Sequence, residues 1–227
     1  MSLTNKATVN CPQCSEPLEV SWAGSVNGGR HSALRDAILD ETFQVETCPS
    51  CEAKFRLPSH VSYLDIGRKH WILAEDVPEL PNWAQHETKA KALFDETFGA
   101  KAPKPAQELA EGVQPRLVFG WQGLREKLIC TELSLDDVYL ELLKMAMLIS
   151  SENTQIGDNI ALRLYSGDEA NLKFNIVESQ TEKIVSTADV PRSAYDAIVN
   201  DDAAWQPLLQ ELSGKTFVDV ARLMIAA

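Results

Sequence analysis

The 227-residue chain contains no apolar run approaching the ~18 residues that a membrane-spanning helix requires. It is also poor in positive charge, because 21 Lys and Arg residues face 33 Asp and Glu residues and leave a net charge of −12. Residues 1–82 alone hold 7 basic against 11 acidic residues, so the acidity is not confined to a tail. Proteins that neutralise nucleic-acid phosphates depend on Lys and Arg, and we therefore expect no non-specific duplex binding.

The common signatures of catalysis are missing as well. Gly28-Gly29 lacks a phosphate-loop frame, and no Gly-x-Ser-x-Gly nucleophile motif occurs. The acidic pairs Asp136/Asp137 and Asp201/Asp202 fall at a predicted helix start and in a polar loop, where structural roles are favoured over acid–base chemistry. The histidines share no ligand spacing and are predicted to be surface or partly packed residues: His31, His60, His70 and His86.

Cysteine is where the sequence becomes informative. Four of the five cysteines form two matching frames, Cys11-Pro-Gln-Cys14 and Cys48-Pro-Ser-Cys51. Each frame presents two sulfurs from one tight turn, and two such turns complete the four-thiolate shell that holds structural zinc. Iron suits four thiolates too, but no electron-transfer motif accompanies them, so we predict one Zn²⁺ per chain. A closed shell leaves no position for substrate, which makes the predicted metal structural.

The alternative is a pair of redox-active dithiols. That chemistry needs a helix directly after the Cys-x-x-Cys frame, because the helix N-terminus lowers the pKa of one thiol. Alternating apolar residues, Leu18 and Val20 after the first frame and Phe55 and Leu57 after the second, instead predict strands. Each frame is thus expected at the bend of a hairpin, as in a zinc ribbon. Cys130, which lies among apolar residues, is predicted to be a buried, inert thiol.

The predicted fold class is α+β, in three segments. Residues 7–82 are expected to form a zinc-ribbon-like β module, in which Ser25–Arg30 is a loop. Residues 83–112 combine a helix over Trp83–Phe98 with a Pro/Lys/Ala-rich linker. Residues 113–227 are expected to form a mixed α+β domain, with a helix that Ser134 caps and that ends near Ser150, and a last helix over residues 217–226.

The two frames and their surroundings resemble the bacterial CpXC protein family, from about Thr8 to Leu148. The likeness includes the 33-residue spacer between the cysteine pairs, the aromatic segment through Tyr63 and Trp71, and the later stretch Phe119-Gly-Trp-Gln-Gly-Leu-Arg-Glu-Lys127. The family has no assigned activity, and the resemblance implies a zinc-binding role. The chain departs from the family pattern at one place in each turn. Knuckles of this type often place glycine after the second cysteine, where Ser15 and Glu52 stand here, so each turn is expected to carry strain or a modified geometry.

These observations favour a non-catalytic adaptor that binds a protein partner. The predicted location is the cytoplasm, because thiolate ligands need a reducing compartment. The first residues have no long apolar stretch or cleavage site, so no secretory signal is expected. Trp71 and Trp83, near the predicted joint between modules, are candidates for an exposed aromatic surface. Two alternatives stay open: an enzyme with its active site in the cleft between the modules, and a nucleic-acid-binding zinc ribbon.

Overall fold

The computed structural model of the protein describes residues 4–150 and 159–225. Its strands are β1 (Thr4–Asn10), β2 (Pro17–Ala23), β3 (Ser25–Asn27), β4 (Val45–Thr47), β5 (Lys54–Arg56), β6 (Val61–Asp65), β7 (His70–Glu75), β8 (Gln114–Phe119), β9 (Ile160–Gly167), β10 (Asn171–Glu178) and β11 (Ile184–Pro191). Its helices are α1 (Ser32–Leu39), α2 (Trp83–Phe98), α3 (Lys104–Leu109), α4 (Gly120–Glu132), α5 (Asp137–Ser150), α6 (Arg192–Asn200), α7 (Gln206–Leu212) and α8 (Ala221–Met224). In this part of the chain, no helix is long and apolar enough to cross a membrane.

A mixed sheet of four strands, in the order β3-β6-β7-β8, lies at the centre. Strand β7 is buried along its whole length, because apolar clusters cover both faces of the sheet. Ile72 and Ala74 face one cluster with residues of α1 and α4, while Trp71 and Leu73 face another with residues of α2. The parallel pair β7 and β8 joins strands from both sides of residues 83–112. The predicted modules therefore share a sheet and a core.

The remaining strands form smaller sheets. Strands β1 and β2 make one antiparallel hairpin, and β4 and β5 make another. Strands β9, β10 and β11 form an antiparallel sheet in the order β11-β10-β9, and residues of β9 and β10 share a third apolar cluster with residues of α5, α6 and α7. The α+β fold class is confirmed, and the three-domain division stays a prediction.

Several predicted elements need correction. Residues 25–27 of the predicted loop form β3, because Val26 is drawn into the core and pairs with β6. Asp136, rather than Ser134, caps α5: its Oδ1 accepts a hydrogen bond from the backbone N–H of Val138 at 2.8 Å. The predicted linker contains α3.

The predicted C-terminal helix is also shorter than expected. Within the described residues it is limited to α8, because the preceding residues run beside β8 and form a parallel bridge between Leu117 and Phe217. The last residue of the predicted span, Ala226, lies outside the described residues. Trp71 and Trp83 are each only 6% exposed. The expected aromatic surface is therefore core, because both rings fill the space between the central sheet and α2.

A network of buried charges links α4, α5, β9 and the segment before α8. Lys144, which is fully buried, contacts Glu126 at 2.5 Å and Glu141 at 2.9 Å. Arg163 pairs with Asp219 at 2.6 Å and lies 3.7 Å from Glu126. Because carboxylates and cations lose hydration on burial, each must be paired, and the pairs fix which elements pack together.

Candidate metal centre

The two cysteine frames lie at the bends of the two hairpins, as the sequence predicts. In the first hairpin the ladder closes with Asn10 opposite Pro17, and in the second with Thr47 opposite Lys54. A strand, not a helix, follows each frame. The helix-terminus geometry that activates redox Cys-x-x-Cys motifs is therefore absent from both.

The two turns repeat the same backbone geometry. In the first, the carbonyl of Cys11 accepts a hydrogen bond from Ser15 N at 2.9 Å, and in the second, Cys48 accepts one from Glu52 N at 2.9 Å. Ser15 and Glu52 have φ values of 63° and 59°, the left-handed region that the sequence comparison with glycine-containing knuckles predicts for these positions. This conformation costs a residue with a Cβ about 1 kcal/mol, so both turns are strained.

The four sulfurs converge. Cys11 Sγ lies 3.7 Å from Cys51 Sγ, and Cys14 Sγ lies 3.6 Å from Cys48 Sγ. All four sulfurs lie within 4.8 Å of one another. Tetrahedral zinc bound at ~2.3 Å separates its sulfur ligands by about 3.8 Å, so the spacing fits a single metal ion. All four thiols are free of disulfides.

Backbone N–H groups approach the sulfurs, and at Cys11 they outweigh burial and favour the thiolate. Gln13 N donates to Cys11 Sγ at 3.4 Å. The N–H of Cys14 is the largest influence on Cys11 and, with that of Gln13, lowers the pKa of its thiol to about 7. The N–H of Ala53 acts in the same sense on Cys51, but burial and the neighbouring sulfurs leave the pKa of that thiol raised overall.

At Cys14 the N–H of Glu16 also lowers the pKa, but Cys51, burial and the other two sulfurs raise it to about 12. Thiolate is the form that binds metal, and sulfurs this close together oppose one another's ionisation unless a cation lies between them.

The cluster rests on a small apolar core of its own. Cys11 and Cys48 are buried with Leu18, Val20 and Leu57, whereas Cys14 is exposed. The sulfurs thus lie near the surface over a few apolar side chains. So small a core contributes little folding free energy by itself. A metal ion that cross-links the two hairpins would supply much of the free energy that stabilises them.

A family model described as CpXC protein matches residues 9–144, more than half of the chain. The chain belongs to the CpXC family. No curated protein and no solved structure gives a significant match to it. The family match spans both cysteine frames, the central sheet and most of α5, so the CpXC region includes the core as well as the hairpins.

The structure places the other candidate residues away from the cysteines. Cys130 is buried, as predicted, and burial raises the pKa of its thiol well above the usual range. Asp136 caps α5, and Asp137 pairs with Arg116 and Lys127, so this acidic pair has the predicted structural role. Among the described residues, the four cysteines are the group of His, Cys, Asp and Glu side chains that could share a metal ion.

Two histidines that are distant in sequence meet at one buried carboxylate. His60 Nδ1 lies 2.5 Å from Glu75 Oε2, and His86 Nδ1 lies 3.3 Å from Glu75 Oε1. Glu75 is only 3% exposed, and His86 Nε2 also contacts Glu79 at 3.2 Å. No sequence spacing signals this arrangement, because the packing of α2 against the sheet brings these residues together.

Glycine at the two strained turn positions is expected to stabilise the protein. Ser15→Gly and Glu52→Gly each remove the penalty of the left-handed conformation, but glycine also loses more backbone entropy on folding. The net expectation is that the free energy of unfolding rises by roughly 0.5–1 kcal/mol per site. Thermal unfolding of the metal-loaded protein measures the gain. Ser50→Gly, at a position without a positive φ, is the matched control and should be neutral or destabilising. Equal effects at all three positions would contradict the account of strain.

His70 is expected to make stability depend on pH between about 4 and 6.5. Burial lowers the pKa of His70 to about 4, whereas the unfolded ring takes up its proton below about 6.5. The unfolded state then binds more protons than the folded state in this window. The free energy of unfolding therefore decreases as the pH is lowered from about 6.5 to about 4, by up to about 3 kcal/mol. Urea unfolding should show a flatter profile for His70→Gln than for the parent. His31→Gln, at an exposed histidine, should keep the parental slope.

Proposed function

We propose that the chain is a zinc-binding protein with one structural Zn²⁺ held by Cys11, Cys14, Cys48 and Cys51. The observation that carries the proposal is the sulfur spacing of 3.6 and 3.7 Å, which suits a tetrahedral ion. Zinc is favoured over ferrous iron because divalent zinc binds a given ligand set more tightly. Four protein thiolates fill the coordination shell, so the ion's role is to fasten two hairpins into a zinc-ribbon-like module. Thiolates persist in a reducing compartment, and this supports a cytoplasmic location.

We further propose that the protein works as a non-catalytic adaptor. The observation in favour of a protein partner is that strand β11 lies at an edge of its sheet. Ile184 and Val185 are 48% and 46% exposed, large values for apolar residues in a strand. An edge strand of this kind accepts an extended segment of another protein through backbone hydrogen bonds. The net charge of −12 favours a basic partner.

Metal exchange tests the proposed site directly. Apo-protein prepared under reducing conditions should take up one Co²⁺ with the strong visible and thiolate charge-transfer absorption of tetrahedral sulfur ligation, and one equivalent of Zn²⁺ should abolish those bands. An equal concentration of Fe²⁺ should not. Weak absorption typical of octahedral oxygen ligation would contradict the assigned ligands, and displacement of the cobalt by Fe²⁺ as readily as by Zn²⁺ would contradict the assigned metal.

A further inference from the structure

A cavity of about 260 Å³ opens beside the central sheet; Cys130 lies in its wall, and the four clustered cysteines do not. Its walls come from the starts of the parallel strands β7 and β8, from the C-terminal half of α4, and from the loop that leads into α5. At ~30 Å³ per water, its volume equals that of about nine water molecules. The size suits a small molecule or the charged group of a larger one.

Positive charge dominates the wall. Four cations line the cavity against two carboxylates, and the cations are Arg68, Lys69, Arg116 and Lys127. The carboxylates are Asp136 and Asp137. In a chain with a net charge of −12, a concave site with a local surplus of two positive charges stands out. Such a site concentrates anions, because low-dielectric walls focus the field of the cations.

Two of the cations form a fixed part of the wall. Arg116 donates to both carboxylate oxygens of Asp137, at 2.7 and 2.9 Å, and also to the backbone oxygens of Pro115 and Lys215. Lys127 lies 2.9 Å from Asp137 and 3.8 Å from Glu141, and it donates to Val218 O at 2.8 Å. These carboxylates balance much of the charge of both cations and leave them few free donors, so a ligand would find its main charged contacts elsewhere in the wall.

The other two cations retain donors for a ligand. Arg68, whose side chain is 36% exposed, has a loose ion pair with Asp65 at 3.6 Å. Lys69 donates to Glu111 O at 2.5 Å, a contact that uses one of three ammonium protons. Lys69 has a φ of 59°, and Gly112 on the adjoining turn has a φ of 75°. Each of these left-handed residues lies in the turn before a strand, Lys69 before β7 and Gly112 before β8. The two turns therefore position the cationic side chains at the starts of these strands.

Polar side chains deeper in the cavity complement an oxygen-rich ligand. His70 is only 9% exposed, its Nε2 lies 2.6 Å from Thr131 Oγ1, and its Nδ1 has no hydrogen-bond partner in the described chain. Either tautomer of the ring satisfies this contact, and Nδ1 is the ring nitrogen left for a ligand. The amide oxygen of Gln114 accepts from Arg116, which leaves the amide nitrogen as a donor.

We propose that this cavity binds a small anion through a phosphate or carboxylate group, with Arg68 and Lys69 as the principal charged contacts. Arg68 supplies a planar fork that matches either group, and Lys69 supplies a flexible point charge at the mouth. The binding site is separate from the cysteine cluster and does not depend on which metal the cluster holds.

Titration of the full-length, metal-loaded protein tests the site, with inorganic phosphate and acetate as probes and chloride keeping the ionic strength constant. In ¹H–¹⁵N spectra we expect saturable shifts around residues 68–70, 112–116 and 131–137, with a Kd of about millimolar for so small a ligand. Tighter binding of phosphate would assign a phosphorylated ligand, and tighter binding of acetate a carboxylic acid.

The variant Arg68→Gln/Lys69→Asn removes both principal contacts, and Asn tolerates the left-handed conformation at position 69. We expect it to weaken phosphate binding by about tenfold or more, since the loss of even one charge-assisted bond is worth about a tenfold change in Kd. Lys101→Asn/Lys104→Gln removes the same charge from an exposed segment and should leave the Kd unchanged. Equal weakening in both variants, or no saturable shift with either anion, would overturn the proposal.

Discussion

Replacing Cys48 by serine is expected to abolish stoichiometric metal binding and to loosen the two hairpins while the central sheet stays folded. Cys48 is fully buried, and its Sγ lies 3.6 Å from that of Cys14. Structural zinc supplies on the order of 10 kcal/mol to small domains, far more than the few apolar residues around the cluster provide. Without the ion, the hairpins keep only short ladders and a small core, and short hairpins are marginal alone.

Hydrogen exchange measured by mass spectrometry locates the effect. Protection should fall most in residues 4–23, because the second hairpin has anchors of its own: Trp121 Nε1 donates to Leu57 O at 2.8 Å, and the guanidinium of Arg56 lies 4.3 Å from the Trp121 ring centre. Cys130→Ala is the matched control, since it removes a cysteine outside the cluster and should keep the metal. Retention of one metal ion with parental exchange in the Cys48 variant would contradict the four-thiolate site.

Replacing Lys144 by methionine is expected to destabilise the whole domain by about 3–5 kcal/mol. The substitution keeps most of the volume but leaves Glu126 and Glu141, which are 1% and 0% exposed, without their nearest cation. Burial already raises the pKa of Glu141 above its usual range, even though Lys144 opposes the effect. The loss should therefore shrink as the pH falls, because protonation in the folded state removes an unpaired buried charge. Urea unfolding at pH 7 and pH 5 measures both quantities.

A second substitution separates lost charge from lost packing. Glu126→Gln in the Lys144→Met background restores charge balance and retains an acceptor for the backbone N–H of Leu164, which Glu126 Oε2 now binds at 2.6 Å. We expect the double variant to recover more than half of the lost stability. Lys101→Met, at an exposed lysine, should change it by less than about 0.5 kcal/mol. If the double variant were as unstable as the single one, charge balance would not be what holds this region together.

The cysteine site could be predicted because its geometry is local. Two residues between the cysteines of each frame fix a tight turn, and alternating apolar residues fix the flanking strands, so both hairpins follow from short segments. The helix Trp83–Phe98 was predictable for the same reason, and α2 has these bounds. The left-handed turn conformations at Ser15 and Glu52 followed from the resemblance to knuckles that place glycine at these positions.

The buried charge network could not be read from short segments, because it joins residues on four elements. Glu126 and Asp219 are 93 positions apart, yet Arg163 contacts both. One signal was present: α5 is apolar around most of its circumference except at Glu141 and Lys144. A helix that is apolar all round is buried, so its charges must find partners. The cavity beside β7 and β8 was equally hidden, since its cations come from separate elements.

Elemental mass spectrometry of protein purified without an affinity metal column, paired with a thiol count, shows whether the four cysteines hold a structural metal ion. We expect one zinc per chain and four thiols protected from a small thiol reagent until a chelator or denaturant is added. Cys130 is buried in the fold and should react only on unfolding. Absence of metal with four freely reactive thiols, or with two disulfides, would contradict a structural metal centre and return the paired frames to redox chemistry.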